Sequence, residues 1–258
     1  MGILNITPDS FSDGDQYNSL KGAVERAEKM LMSGVDIFDI GGESTRPGAQ
    51  EVSVEEEISR VVPVITAIRQ FNKPISIDTS KPDVMQAAVE AGASMINDVR
   101  ALQENGAIEM ASKLQVPVCL MHMQGAPRSM QSDPIYNDVV EDIVDFLENR
   151  VKACSDAGIA KELISIDPGF GFGKTLEHNL HLLNNLNKIA DLGYPVLAGL
   201  SRKSMLGQIT GKNVNQRLSS SLAVALLAMQ KGAKIVRVHD VAETHDVRQV
   251  YMAMQALI

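Results

Sequence analysis

Short β-branched or apolar runs alternate with longer segments of 3.6-residue period from one end of this sequence to the other, eight times over. Repetition of that kind specifies parallel βα units, because each buried strand must be followed by a helix that carries the chain back across the sheet. The strand candidates are residues 1–5, 35–40, 75–78, 95–98, 118–121, 163–167, 196–198 and 235–238. Helical segments begin near Leu20, Val54, Pro82, Ala107, Tyr136, Leu176, Gln216 and Val241. The 258 residues thus divide into about 32 per unit, the length one crossover needs.

Local punctuation agrees with this division. Gly34, Gly92, Gly158 and Gly232 fall just past helical segments, and Pro82 follows Thr79-Ser80 where a helix should open. The strands read as nearly continuous apolar runs, so both of their faces are covered. These features predict an α/β protein, a single domain over residues 1–258 folded as a closed (β/α)8 TIM barrel. A doubly wound open sheet is the alternative, but it carries a glycine fingerprint after its first strand, where this chain has Asn5-Ile6-Thr7-Pro8. Segment 218–229 is apolar or small at almost every position after Ser221, the pattern of a helix covered on two sides. An outer barrel helix is covered that way when a second subunit packs on it, so a homodimer through this region is expected.

Composition narrows the function. With 24 Lys and Arg against 32 Asp and Glu, the net charge of −8 disfavours non-specific binding to a nucleic-acid backbone. Cys119 and Cys154 have no CxxC partner, so neither a zinc ribbon nor a disulfide framework can be written, and a reducing cytoplasm fits. Neither a secretory signal nor an apolar window of membrane-spanning length is visible, so no membrane role is expected.

In a barrel of this kind, side chains at the carboxyl ends of the strands converge on one mouth. Here the strand ends supply Asn5, the run Gly41 to Arg46, Asp78, Asn97-Asp98, His122, Asp167, the run Ser201-Arg202-Lys203-Ser204, and Arg237 with His239. A single Asn or Asp at a strand end usually caps a helix or forms a turn, but eight in register point to a shared site. Asp98 is assigned to structure, because Asn97 takes the inward slot, and Asp39 to the barrel interior or to support of a site residue. His178 and His181 lie on a helix facing solvent. Arg237 and His239 are two apart and face one volume, and with Lys203 they offer positive donors for a phosphate-bearing group. Pairing of Arg237 with Asp240 or Asp246 is the competing reading. The run Asp167-Pro168-Gly169-Phe170-Gly171-Phe172-Gly173-Lys174-Thr175 fails as a P-loop, since Pro168 stands where the first glycine belongs. Its glycines instead let backbone pass close to a flat ligand, with Phe172 against it.

Six segments, in order through the whole chain, resemble those of the bacterial dihydropteroate synthases, a pterin-binding barrel family. They are Asn5-Ile6-Thr7-Pro8-Asp9-Ser10-Phe11-Ser12-Asp13-Gly14, Gly41-Gly42-Glu43-Ser44-Thr45-Arg46-Pro47-Gly48, Ile77-Asp78-Thr79-Ser80, Asn97-Asp98, the glycine run from Asp167 to Lys174, and Ser201-Arg202-Lys203-Ser204. Arg237-Val238-His239 belongs to the same match, and the first two loops are its most specific part. The family's short lead-in before the first strand has no counterpart ahead of Met1, so the resemblance describes the mouth better than the floor.

The resemblance implies condensation of 6-hydroxymethyl-7,8-dihydropterin pyrophosphate with 4-aminobenzoate, releasing pyrophosphate and forming 7,8-dihydropteroate for folate synthesis. By family match Asp167 accepts the pterin's paired N–H groups, Asn97 and Asp78 complete the ring's hydrogen bonds, Lys203 donates to its carbonyl side, and Arg237 stacks on it. Asn5, Arg46, Arg237 and His239 would hold the pyrophosphate, with Mg²⁺ on Asn5 and Asp13. Phe11, Thr45, Pro47, Phe172 and Ser204 would form the aminobenzoate pocket, where sulfonamides should compete. Loops 1 and 2, rich in Gly, Ser and Pro, are expected to close over the second substrate. The catalytic residues are then Lys203, Arg237 and His239, and Arg237→Ala and His239→Ala are expected to lower kcat/KM with the fold intact. A corrinoid-linked pterin methyltransferase and a Schiff-base aldolase using Lys203 are the competing enzyme classes for the same barrel.

Overall fold

The protein is described from a computed structural model, which covers residues 1–6, 16–44, 51–125 and 134–257, with backbone alone for 16–19. Eight parallel strands pair in chain order: β1 (Gly2–Asn5), β2 (Phe38–Gly41), β3 (Ile75–Asp78), β4 (Met95–Asp98), β5 (Val118–Met121), β6 (Ile164–Asp167), β7 (Val196–Ala198) and β8 (Ala233–Val236). The circle closes just past β8. The Ile3 amide donates to the Val238 carbonyl at 3.0 Å, and the Val238 amide to that of Met1 at 2.9 Å. The expected closed barrel is therefore what forms.

Ten α-helices lie on the outside of the described barrel: α1 (Gln16–Met32), α2 (Val54–Ile68), α3 (Pro82–Ala91), α4 (Ala107–Leu114), α5 (Val139–Asp156), α6 (Leu176–Asn184), α7 (Leu186–Ala190), α8 (Ser204–Thr210), α9 (Leu218–Gln230) and α10 (Val241–Gln255). Two more helices form than the eight expected, because the sixth crossover splits at Asn185 and a short helix follows the Ser201 to Lys203 turn. Local capping sets several starts. Ser53 accepts from the Glu56 amide, Asp138 from those of Val140 and Glu141, and Thr175 forms a capping box with His178. Asp138 explains why α5 opens at Val139, three residues after the Tyr136 expected. His178 accordingly helps cap a helix.

Four strand bounds also differ, by one residue at β1 and β6 and by more at β2 and β8. Val35 is buried ahead of β2 but is not part of it, and β8 runs from Ala233 to Val236, with Arg237 and Val238 still bonded to the flanking strands and His239 beyond them.

Two cores follow from the two-residue strand period. Outward residues such as Ile40, Ile77, Ile96, Leu120, Ile166 and Val196 meet the helices in one large cluster. Inward residues Met1, Met95, Cys119 and Leu197 plug the barrel floor. Above that plug the inward side chains turn polar, and strand register lines them up: Asn5 pairs with Gly41, Gly41 with Asp78, and Asp78 with Asn97. Helix α9 buries Ser221, Val224, Ala225, Ala228 and Met229 but leaves Leu227 42% exposed, beside exposed Val250, Met252 and Met254 of α10. Among the described residues no helix is long and apolar enough to cross a membrane.

Candidate active site

At the centre of the mouth a guanidinium joins two buried carboxylates. Arg237 Nε donates to Asp39 Oδ2 and Arg237 Nη2 to Asp78 Oδ2, both at 2.6 Å. Asp240 instead pairs with Arg202, so the acidic partners of Arg237 are not the sequence neighbours but residues on β2 and β3. Burial pulls the Arg237 pKa down most, yet Asp39 and Asp78 together raise it above its ordinary value. Asn97 Nδ2 lies 3.5 Å from each Asp39 oxygen.

Asp78 keeps Oδ1 buried without a partner. An acceptor left that way costs about 1–3 kcal/mol, which a bound donor would recover. Burial pushes the Asp78 carboxyl up to about 7 against the pull of Arg237. Beside it, Gly41 leaves open the space where a Cβ would stand 3.6 Å from Asn5 Oδ1.

The second group is built by the chain leaving β6. Asp167 is buried, and its Oδ1 accepts from the Gly169 amide at 2.7 Å. Desolvation raises its pKa to about 6, against that hydrogen bond and the charges of Lys203, Arg237 and Lys174. Gly169 has φ +70°, and a Cβ there would collide with the His122 carbonyl oxygen, so only glycine lets the loop lie so close to β5. Lys203 places Nζ 4.1 Å from the Phe172 ring centroid, a cation over an aromatic face. Burial and the charge of Arg237 bring Lys203 down to about 8, with Asp167 and Asp78 opposing. Below the loop, Lys174 Nζ is buried against the Gly169 and Phe172 carbonyls and His122 Nδ1.

The third group ties the exit of β7 to the exit of β8. Ser201 Oγ accepts from the His239 amide at 3.2 Å and lies 3.1 Å from His239 Nδ1, while Arg202 grips Asp240 through Nε and Nη2. Arg202 has φ +58°, a conformation held by its amide bond to Ser221 Oγ and by Arg217 Nη1 on its carbonyl. Burial, then Arg202 and Arg237, push His239 down to about 4. Burial first and then the two guanidinium groups beside it thus disfavour the charged form, so in the unliganded mouth His239 is a neutral hydrogen-bonding group.

The structure thus brings Asp78 and Arg237 into direct contact, with Asn97 linked through Asp39, and sets Asp167 and Lys203 within their field. Asn5 stands at the same rim. Ser204, the first residue of α8, is exposed and lines a cleft of about 330 Å³ with Thr175 and Gln208. Phe11, Asp13, Thr45, Arg46 and Pro47 lie outside the described residues. Among the described residues no three His, Cys, Asp or Glu side chains gather as a metal cage. Asn5 offers one oxygen donor of the kind taken by a hard cation that keeps most of its own waters.

Sequence reasoning left Lys174 without a role and did not pair Ser201 with His239. The strand-end rule pointed at His122, but nothing in the sequence says that a lysine after three glycines is buried. Asp98 serves the structural part assigned to it, accepting from the Arg100 and Leu102 amides at 2.8 Å and from Ser80.

Known proteins resemble this chain along nearly its whole length. A family model described as pterin binding enzyme matches residues 1–239. The dihydropteroate synthase of Haemophilus influenzae is 58% identical over 254 residues, spanning 98% of this chain and 92% of that protein. The crystal structure of the Yersinia pestis dihydropteroate synthase in a sulfonamide drug complex has a TM-score of 0.94 at 50% identity, covering 99% of this chain and 94% of that one. The Xanthomonas albilineans dihydropteroate synthase with 4-aminobenzoic acid also has a TM-score of 0.94, at 51% identity, covering 99% of this chain and 92% of that one.

Proposed function

The chain belongs to the pterin-binding enzyme family, and from that premise we propose that its mouth performs each part of the dihydropteroate synthase reaction with the groups described above. It is a transferase of folate biosynthesis that joins 6-hydroxymethyl-7,8-dihydropterin pyrophosphate to 4-aminobenzoate, giving 7,8-dihydropteroate and pyrophosphate. The observation that carries the residue assignment is the pair of buried carboxylates, Asp78 with an unpartnered oxygen and Asp167 with one oxygen held by Gly169. Each leaves acceptor capacity where a flat ligand with adjacent N–H donors would bind.

Asp167 takes the pterin's amino and ring N–H edge, and Asp78 and Asn97 take its other polar atoms. Lys203, poised over Phe172, donates to the ring carbonyl. Arg237, fixed by its two carboxylates, presents its plane to the ring and an edge to the pyrophosphate. As the methylene carbon–oxygen bond breaks, the electron pair leaves on pyrophosphate, whose growing charge meets Arg237, Asn5 and the neutral His239. The cation left at the methylene is delocalised into the pterin. The lone pair of the aromatic amine then forms the carbon–nitrogen bond, and its proton goes to solvent, so no dedicated base is needed. Groups already aimed at the departing charge lower the barrier without reorganising.

Mg²⁺ held by Asn5 and Asp13 would add to that charge neutralisation. By family match Phe172 and Ser204, with Phe11, Thr45 and Pro47, would form the aminobenzoate side, and Arg46 would bind the pyrophosphate. Two buried free thiols, Cys119 and Cys154, suit a reducing cytoplasm. The exposed apolar residues of α9 and α10 suit a homodimer.

The test is pyrophosphate release by the purified chain. Release should require both substrates, and a sulfonamide should compete with 4-aminobenzoate. Absence of release with both present would overturn the reading.

A further inference from the structure

We propose that Lys174 is a positioning residue, an ammonium tie that holds the loop after β6 in the shape that presents Asp167 and Phe172 to the pterin. The inference rests on the function proposed above and adds a residue to which no role has been given. Lys174 is only 3% exposed, and its side chain turns back beneath the loop that precedes it. Its Nζ donates to the Gly169 carbonyl at 2.9 Å and to the Phe172 carbonyl at 3.0 Å, and lies 3.0 Å from His122 Nδ1. An ammonium has three N–H donors, and three acceptors surround this one.

His122 can accept only if Nδ1 carries no proton. Burial and the charge of Lys174 push the ring down to about 3, so it is neutral with its proton on Nε2. The His122 amide donates to the Asp167 carbonyl at 2.9 Å, so the tie rests on the ends of both β5 and β6.

What the tie holds is the ligand-facing backbone. Gly169, whose carbonyl Lys174 takes, gives its amide to Asp167 Oδ1. Phe172, whose carbonyl it also takes, supplies the ring under Lys203. Two carbonyls drawn inward by one cation turn the Gly169 amide and the Phe172 ring toward the mouth. Asp167, Lys203 and His122 are the charged and titratable groups around the ammonium. Burial lowers Lys174 to about 7, with Asp167 opposing and Lys203 adding to the fall. Lys174 in turn pulls the Asp167 carboxyl down, after the Gly169 amide, Lys203 and Arg237, against the burial that raises it.

Lys174→Met removes the donors and the charge at similar volume. With folding checked by thermal melting, we expect pterin affinity, read by direct binding of 6-hydroxymethylpterin, to fall about tenfold, and KM to rise more than kcat falls. The acid limb of pterin binding should move up by about half a pH unit as Asp167 loses its cation. A purely structural lysine would leave that limb in place. Lys174→Gln, which keeps a donor but no charge, should show the same shift with a smaller loss of affinity. Wild-type affinity and an unmoved limb in either folded variant would overturn the proposal, as would loss of the fold in both. Wild-type pyrophosphate release is measured alongside, so failure of the proposed reaction and failure of the tie are separate results.

Discussion

Asp167 and Arg237 each work against their surroundings, and both have measurable consequences. The folded-state pKa of Asp167 stands near 6, above its ordinary value of 3.8, because burial disfavours its charge. Only the ionised form accepts two N–H donors, so pterin binding is complete above that value and fails as pH falls through it. A titration should show affinity about tenfold lower at pH 5 than at its plateau; binding that is flat between pH 5 and 8 would contradict the role of Asp167. Arg237 neutralises Asp39, which is fully buried, as well as Asp78. Removing it leaves carboxylates without their cation, so Arg237→Ala should lose about 3–5 kcal/mol of stability and about 10²–10³ in turnover. The intact fold expected from the sequence is therefore replaced by a destabilised one, and His239→Ala, which breaks no ion pair, is the cleaner catalytic probe. Paired thermal melts and kinetics of the two variants check this.

Among the elements, the turn after β4 shows how a strand end is made rigid without joining the chemistry. Ala101 and Leu102 both have positive φ, 52° and 56°, which residues with a side chain rarely adopt. Asp98 holds the turn from one side through the Arg100 and Leu102 amides, and Arg150 of α5 from the other through the Ala101 and Leu102 carbonyls. Asp98→Ala frees one buried and one half-buried amide and should cost about 2–4 kcal/mol in urea unfolding, with KM for both substrates little changed. Altered KM at unchanged stability would return Asp98 to the site. Asp98 also marks how far sequence can be read. The two-residue alternation told it apart from Asn97, and the convergence of strand ends put Asn5, Asp78 and Asp167 at one mouth. What could not be read depends on distance in three dimensions: that Arg237 would choose Asp39 and Asp78 over its neighbour Asp240, and that Lys174 would fold back under its own loop.

At the scale of the whole molecule, the barrel buries the apolar residues of β1 to β7 and part of those of β8, and four exposed apolar residues fall on the neighbouring helices α9 and α10. Leu227, Val250, Met252 and Met254 are each between 42% and 63% exposed, a grouping that marks contact surfaces more than solvent-facing helices. Sedimentation of the wild type should give a dimer, and Leu227→Glu with Met252→Glu should give a folded monomer. A monomeric wild type would remove the dimer from the account.

The pairing of Arg237 with Asp39 spans 198 positions of the chain. At a synthesis rate of about 5–20 residues per second, the carboxylate leaves the ribosome roughly 10–40 s before the guanidinium that neutralises it. Until the last strand arrives, the nascent sheet has two bare edges and an acidic lumen. That interval, set by the spacing of two codons, is when the newborn chain most needs shelter from its neighbours in the cell.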